Sequence, residues 1–206
     1  MRAFGPEEFQ AATAVSRETL DKLRLYDALL LKWSRVINLI GPDTRKATWQ
    51  RHFLDSAQLL SLFPAPMDAI PRRVADLGSG AGFPGLVLAL MGVGEVHLIE
   101  SDQKKIAFLR EVARQTEAPV VLHAQRIEQL TDLTVDVVTA RALAPLDRLI
   151  GYARPLLKSG GVCLFLKGRT VDQELTQLQK AETMTIQRFE SRSDPEGALL
   201  RIGGLE

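Results

Sequence analysis

The chain has 206 residues, 46% of them hydrophobic and 25% charged, with a net charge of +1. That composition fits a globular domain with a sizeable core. It excludes low-complexity, repeat and membrane-spanning chains, because every apolar run is broken within about ten residues. A near-zero charge lacks the footprint of a strongly basic nucleic-acid binder yet accommodates a local basic patch.

The opening MRAFGPEEF carries no long apolar run of the kind a secretory signal needs. Leu20, Leu23, Tyr26, Leu30, Trp33 and Ile37 recur at steps of three and four and share one helix face. Ser16 is the expected N-cap and Gly41-Pro42 the expected stop. The stripe reads as core, Trp33 included, rather than as a base-stacking platform. A second helix is expected after Asp43 or Thr44 as cap, with Ala47, Phe53, Ala57 and Leu60 on its apolar side. Pro64, Pro66 and Pro71 mark a connector.

From Arg73 the rhythm alternates. Strand-like runs cover 74–78, 95–100, 119–124, 135–141 and 161–168, separated by helical patterns at 84–91, 103–117, 145–157 and 172–181. Such alternation implies right-handed βαβ units and a parallel sheet covered on both faces. Residues 183–190 and 198–203 break the pattern as two strands around the turn Asp194-Pro195-Glu196-Gly197, an antiparallel hairpin at one sheet edge. The expected fold is α/β: a doubly wound, mostly parallel Rossmann-like sheet with a C-terminal hairpin. A helical extension is expected over 1–70 and a ligand-binding core over 71–206, one structural domain overall. Cys163, the only cysteine, lies within the fifth strand and reads as an inert core residue. It forms no internal disulfide, which points to a reducing, cytoplasmic setting. No metal-ligand cluster is read, and neither a membrane nor an obligate protein partner is called for.

The strongest local signal is the loop Asp76-Leu77-Gly78-Ser79-Gly80-Ala81-Gly82-Phe83-Pro84-Gly85 between the first strand and helix of the α/β region. Glycines let the backbone take positive φ and approach a ligand closely. The carboxyl ends of parallel strands are where such sheets bind ligands. Glu100, closing the second strand, is placed to accept hydrogen bonds from a ribose diol. Gly80, Gly82 and Gly85 also match the dinucleotide fingerprint, with Glu100 near the expected distance. Charge separates the two cofactors: Asp76 suits a ligand ammonium and repels a pyrophosphate. S-adenosylmethionine has an amine and a ribose and no phosphate, so the loop favours a methyltransferase over a dinucleotide-binding oxidoreductase. After the third strand, Ile127 and Glu128 are the candidates for contact with the adenine.

The fourth strand ends at Arg141, followed by Ala142-Leu143-Ala144-Pro145. Neither an Asn-Pro-Pro-aromatic motif nor a Pro-Cys nucleophile is present, and His123 and Cys163 do not read as catalytic. Guanine N7 carries an in-plane lone pair and loses no proton on methylation, so positioning and desolvation suffice for it. A small-molecule or protein methyltransferase would look equally bare.

Further segments complete a pattern: Trp33 to Asn38-Leu39, Arg51-His52-Phe53-Leu54-Asp55-Ser56, Leu98-Ile99-Glu100-Ser101, Lys104-Lys105 with Phe108-Leu109-Arg110, Arg126-Ile127-Glu128, Arg141-Ala142 and Leu166-Lys167-Gly168. In order and spacing, and over nearly the whole chain, they resemble the bacterial small-subunit ribosomal RNA guanine-N7 methyltransferases, the glucose-inhibited division protein B family. Ile40 departs from that family, which usually has Thr after Asn-Leu. The resemblance implies methylation of a guanine at N7 in the decoding-region loop of 16S ribosomal RNA, free or within an assembling subunit. It also implies a cofactor held around Gly78, Phe83, Ile127, Glu128 and Arg141. Arg141 would sit at the reacting centre, its charge answered by the methionine carboxylate, an RNA phosphate or guanine O6; the alternative is a salt bridge to Asp147 or another acid. Arg51 and His52 are expected to touch RNA, with Asp55 orienting them; a simple Arg51–Asp55 surface pair is the alternative. Lys167 and Arg169, at the end of the fifth strand, are expected to meet phosphate. Lys104 and Lys105 read as surface residues.

Overall fold

In the computed structural model, which describes residues 4–64, 72–178 and 184–205, the helices form largely where the apolar spacing places them. A first helix, α1 (Pro6–Thr13), had no counterpart in the sequence reading; the Gly5 N–H donates to Glu8 Oε2 at 3.0 Å and Pro6 opens its first turn. In α2 (Arg17–Trp33), Ser16 Oγ accepts from the Thr19 N–H at 3.0 Å, and Leu20, Leu23, Tyr26 and Leu30 are buried. This helix ends at Trp33, well before Gly41-Pro42. The β-branched Val36 and Ile37 and the Asn38 that follow are weaker helix formers.

The second expected helix is broken into short pieces. A 3-10 turn (Pro42–Ala47) begins after Gly41, so neither Asp43 nor Thr44 is its cap. A π-helical turn (Trp49–Leu54), α3 (Asp55–Ala57) and another 3-10 turn (Gln58–Leu62) follow. Pi-helical turns cluster at functional sites, and this one carries Arg51 and His52. Pro66 and Pro71 of the connector lie outside the described residues.

The α/β region runs β1 (Arg72–Leu77), α4 (Gly85–Leu90), β2 (Gly94–Ile99), α5 (Gln103–Thr116), β3 (Val120–His123), β4 (Val135–Arg141), α6 (Leu146–Ala153), β5 (Leu157–Lys167), α7 (Val171–Gln177), β6 (Thr185–Glu190) and β7 (Ala198–Gly203). Strand order is β3-β2-β1-β4-β5-β7-β6. The first five strands are parallel; β7 runs antiparallel to β5 and β6, so the hairpin closes one edge with β6 outermost. The C-terminal part of the pattern expected over 172–181 lies outside the described residues.

Period-two alternation sends each strand's side chains to two cores. Val74, Val96, Leu98 and Leu164 pack with Leu23, Tyr26 and Phe53 from the N-terminal helices, Leu86 and Leu88 of α4 and Phe108 of α5. Ala75, Leu77, Val138 and Phe165 pack with Leu146, Leu149 and Ile150 of α6 on the other face. Cys163 is buried in that second layer. Among the described residues, no helix is long and apolar enough to cross a membrane.

Candidate active site

Chain direction across the sheet reverses between β1 and β4, so the loops leaving these two strands diverge at the carboxyl edge. A cleft of about 750 Å³ opens there, lined among others by Gly78, Gly80, Phe83, His52, Arg141 and Lys167. Arg51, Asp55, Asp194, Glu174, Leu143 and Lys105 also reach it, as does Ile40. Asp76, Gly82, Glu100, Ile127, Glu128 and Arg169 do not line it.

The glycine loop needs its glycines. Gly78 has φ +63°, and a Cβ there would stand 2.6 Å from Leu143 Cδ1. Glu100 holds the loop from behind: Gly80 N–H donates to its Oε2 at 2.9 Å and Asp102 N–H to its Oε1 at 2.8 Å. Each carboxylate oxygen keeps a lone pair, but the group is buried behind the loop and does not line the cleft where a ribose diol was expected to meet it. Asp76 lies beneath the loop, fully buried, rather than facing the cleft. Thr139 Oγ1 donates to its Oδ1 at 2.9 Å and Gly85 N–H to its Oδ2 at 3.2 Å. Burial raises its pKa to about 6 against the lowering effect of these bonds.

Arg141, at the end of β4, gathers the residues of the broken helix. Its Nη1 donates to His52 Nδ1 at 2.7 Å and to the Arg51 carbonyl at 3.2 Å, and lies 3.7 Å from Asp55 Oδ2. Its guanidinium carbon stands 5.0 Å from the centre of the Phe83 ring. Burial lowers its pKa while Asp55 and other acids favour the charge. The acid beside Arg141 is therefore Asp55, not Asp147. Burial and the charges of Arg141 and Arg51 push the His52 pKa down to about 3. Asp55 Oδ1 accepts from Gln58 Nε2 at 2.9 Å and Ser193 Oγ at 2.5 Å, which ties this cluster to the hairpin turn.

The basic residues are less free than the sequence implied. Arg51 pairs with Asp194 at 2.8 Å, not with Asp55. The helix that would have aligned Arg51 with Asp55 is instead a π-helical turn. The Lys167 side chain is only 8% exposed; its ammonium contacts Glu174 Oε2 at 2.6 Å and donates to the Ala144 carbonyl at 3.0 Å. Arg169 is exposed. Ile127 packs against the second core, and Glu128 accepts from Tyr152 Oη at 2.8 Å. Glu174, Leu143 and Ser193 were invisible to sequence reasoning, since each enters the site through contacts remote in the chain. His97 and His123, 2.9 Å apart, sit away from the cleft. Among the described residues, no group of three or more His, Cys, Asp or Glu is placed to hold a metal ion.

The family model for rRNA small subunit methyltransferase G matches residues 19–195. The chain belongs to that family. Within it, the ribosomal RNA small subunit methyltransferase G of Paramagnetospirillum magneticum is 58% identical, over 96% of this chain and 95% of the relative. The same enzyme of Rhodospirillum rubrum is 57% identical, over 96% of both. Membership makes the protein an rRNA methyltransferase and leaves the oxidoreductase and small-molecule readings without support. Solved structures share the fold at low identity. A putative RNA methyltransferase of Pyrococcus horikoshii is 18% identical with TM-score 0.57, over 92% of this chain and 98% of that one. TYW2 of the same organism, in complex with MeSAdo, is 13% identical with TM-score 0.57, over 80% and 64% of the two chains.

Proposed function

We propose that the protein transfers a methyl group from S-adenosylmethionine to N7 of a guanine in 16S ribosomal RNA. The observation that carries this reading is the meeting, in one cleft, of the glycine turn at Gly78 and Gly80 with Arg141 and Phe83. Gly80 takes φ +58°, and a Cβ built on it would meet only ordinary van der Waals contact, 3.7 Å from the Gly78 carbonyl oxygen. Bare backbone there, with Glu100 behind it, fits a nucleoside carrying no phosphate. The cofactor supplies an electrophilic sulfonium methyl when bound.

The chain's own groups suit an acceptor that keeps its protons. Glu174 is paired with Lys167 and Asp194 with Arg51, and Asp55 accepts several hydrogen bonds. His52 already spends Nδ1 on Arg141. No strong, free base therefore faces the cleft among the described residues, and the N7 lone pair requires none. In duplex RNA the deep, narrow major groove hides N7, so the target guanine lies in a loop or is turned out into the cleft. Arg169 is the most available phosphate contact of the four expected RNA residues. Arg51 is paired with Asp194 through Nη2, while the buried His52 and Lys167 would meet RNA by giving up present partners.

The test is direct. S-adenosylhomocysteine should bind by calorimetry and NAD should not, and incubation with undermethylated 16S RNA should yield 7-methylguanosine by nucleoside mass spectrometry. A different methylated nucleoside, or binding of NAD alone, overturns the reading.

A further inference from the structure

Arg141 is held from one side. Among the described residues, its guanidinium makes hydrogen bonds to the His52 ring and the Arg51 carbonyl through Nη1, the atom that also approaches Asp55. Among the described residues no hydrogen-bond partner engages Nε or Nη2, which leaves these donors for a ligand in the cleft that Arg141 lines. A guanidinium only donates, so its 2.7 Å bond to His52 requires Nδ1 to be an acceptor. The imidazole then carries its hydrogen on Nε2, which donates to Thr44 Oγ1 at 3.0 Å. The Thr44 hydroxyl in turn donates to the Gly41 carbonyl at 3.0 Å. One tautomer thus satisfies the whole chain from Arg141 to Gly41. Phe83 packs beneath both partners, its ring stacked on His52 at 5.0 Å and 26°. Only 7% of His52 is exposed, which leaves it poorly placed to read RNA itself.

We propose that His52 is a positioning residue for Arg141, presenting a fixed neutral acceptor to Nη1 so that the free edge of the guanidinium is aimed into the cleft. The inference rests on the methyl-transfer reading above. A charged imidazole in the same place would repel the guanidinium and lose the acceptor. The lowered pKa of His52 keeps it neutral across the physiological range.

Two substitutions separate positioning from packing. In His52→Asn, Oδ1 stands close to where Nδ1 stood and accepts from Arg141, but the ring and the bond to Thr44 are gone. In His52→Phe, the ring stays against Phe83, and both the acceptor and the bond to Thr44 are gone. His52→Asn should therefore melt lower than wild type yet restore near-wild-type single-turnover methylation of 16S RNA. His52→Phe should fold and also melt lower than wild type, since it loses the Thr44 bond and an acceptor for the buried guanidinium, and it should lose about 10²-fold in rate, the scale expected when a reacting group is misplaced by about 1 Å. A folded His52→Phe with wild-type rate overturns the proposal, and so does a folded His52→Asn as slow as His52→Phe. Should His52→Asn not fold, the rate of His52→Phe alone decides. An inactive wild type would instead count against the methyl-transfer reading.

Discussion

Asp76 is a carboxyl enclosed by the loop it supports, and its ionisation works against the fold. Its native pKa is about 6 against an ordinary 3.8. Between those values the native state holds a proton that the unfolded chain has released, so stability falls as pH rises from about 4 to about 6. A shift of that size corresponds to about 3 kcal/mol at neutral pH. His52 acts with the opposite sign. Its native pKa of about 3 lies below the ordinary 6.5, so its contribution is complete above pH 6.5 and is lost as pH falls toward 3. The two slopes oppose each other over the shared window. Asp76→Asn keeps an acceptor for Gly85 N–H and lets the Thr139 hydroxyl turn to accept, while removing the first slope. Urea unfolding of this variant should show a steeper loss of stability from pH 6 to pH 4 than wild type. An unchanged slope would mean that Asp76 titrates in the native state like an exposed carboxyl.

The loop between β4 and α6 is the element through which remote residues shape the cleft. Lys167 donates to the Ala144 carbonyl, and Leu146 N–H donates to Glu174 Oε2 at 2.8 Å, so β5 and α7 together clamp its far end. Ala142 takes φ +51°, which turns the chain so that Leu143 lies over Gly78. Gly78→Ala therefore meets two penalties, about 1–2 kcal/mol for a side chain in the left-handed region and a clash with Leu143. Removing the clash with Leu143→Ala should recover part of the loss in the double variant and leave the backbone penalty. Calorimetry with S-adenosylhomocysteine across the four proteins measures the coupling; simple additivity would place Leu143 elsewhere when ligand binds. Alternating strands and helices were legible because periodicity is local, and the acids Asp76 and Glu100 stood out because strand ends are fixed by it. What Asp76 faces was not legible, nor was the bond of Glu174 to Leu146, 28 positions away. Contacts across such distances leave no spacing to read. The broken helix carrying Arg51 and His52 was missed for the same reason: its apolar positions suit an ordinary helix, and tertiary contacts to Arg141 and Asp194 decide its geometry.

At the scale of the whole molecule, the N-terminal helices and the sheet share one core. Tyr26 is fully buried, donates to the Ala81 carbonyl in the glycine loop and stacks on Phe83 at 5.2 Å. Trp33 meets Phe108 of α5 edge-on at 5.8 Å. Trp49 Nε1 donates to Asp27 Oδ2 at 2.9 Å and its ring stacks on Phe53 at 4.5 Å. An extension docked like an independent domain would bring a surface with its own polar rim. Here Phe9, Leu23, Tyr26, Phe53 and Leu59, all fully buried, pass directly into the layer that covers β1 and β2. Exposing even one such aromatic costs about 3–5 kcal/mol by analogy with large-to-small core substitutions, a large share of a domain's net stability. Undocking would expose several such side chains at once, so its cost approaches that of unfolding. Both tryptophans lie before residue 50, so indole fluorescence reports the N-terminal helices, while far-UV circular dichroism reports all helices and the sheet. The two signals should follow the same urea transition with the same midpoint and slope. A fluorescence transition at lower urea than the dichroism transition would show the extension leaving an intact sheet, and would divide the molecule into two units.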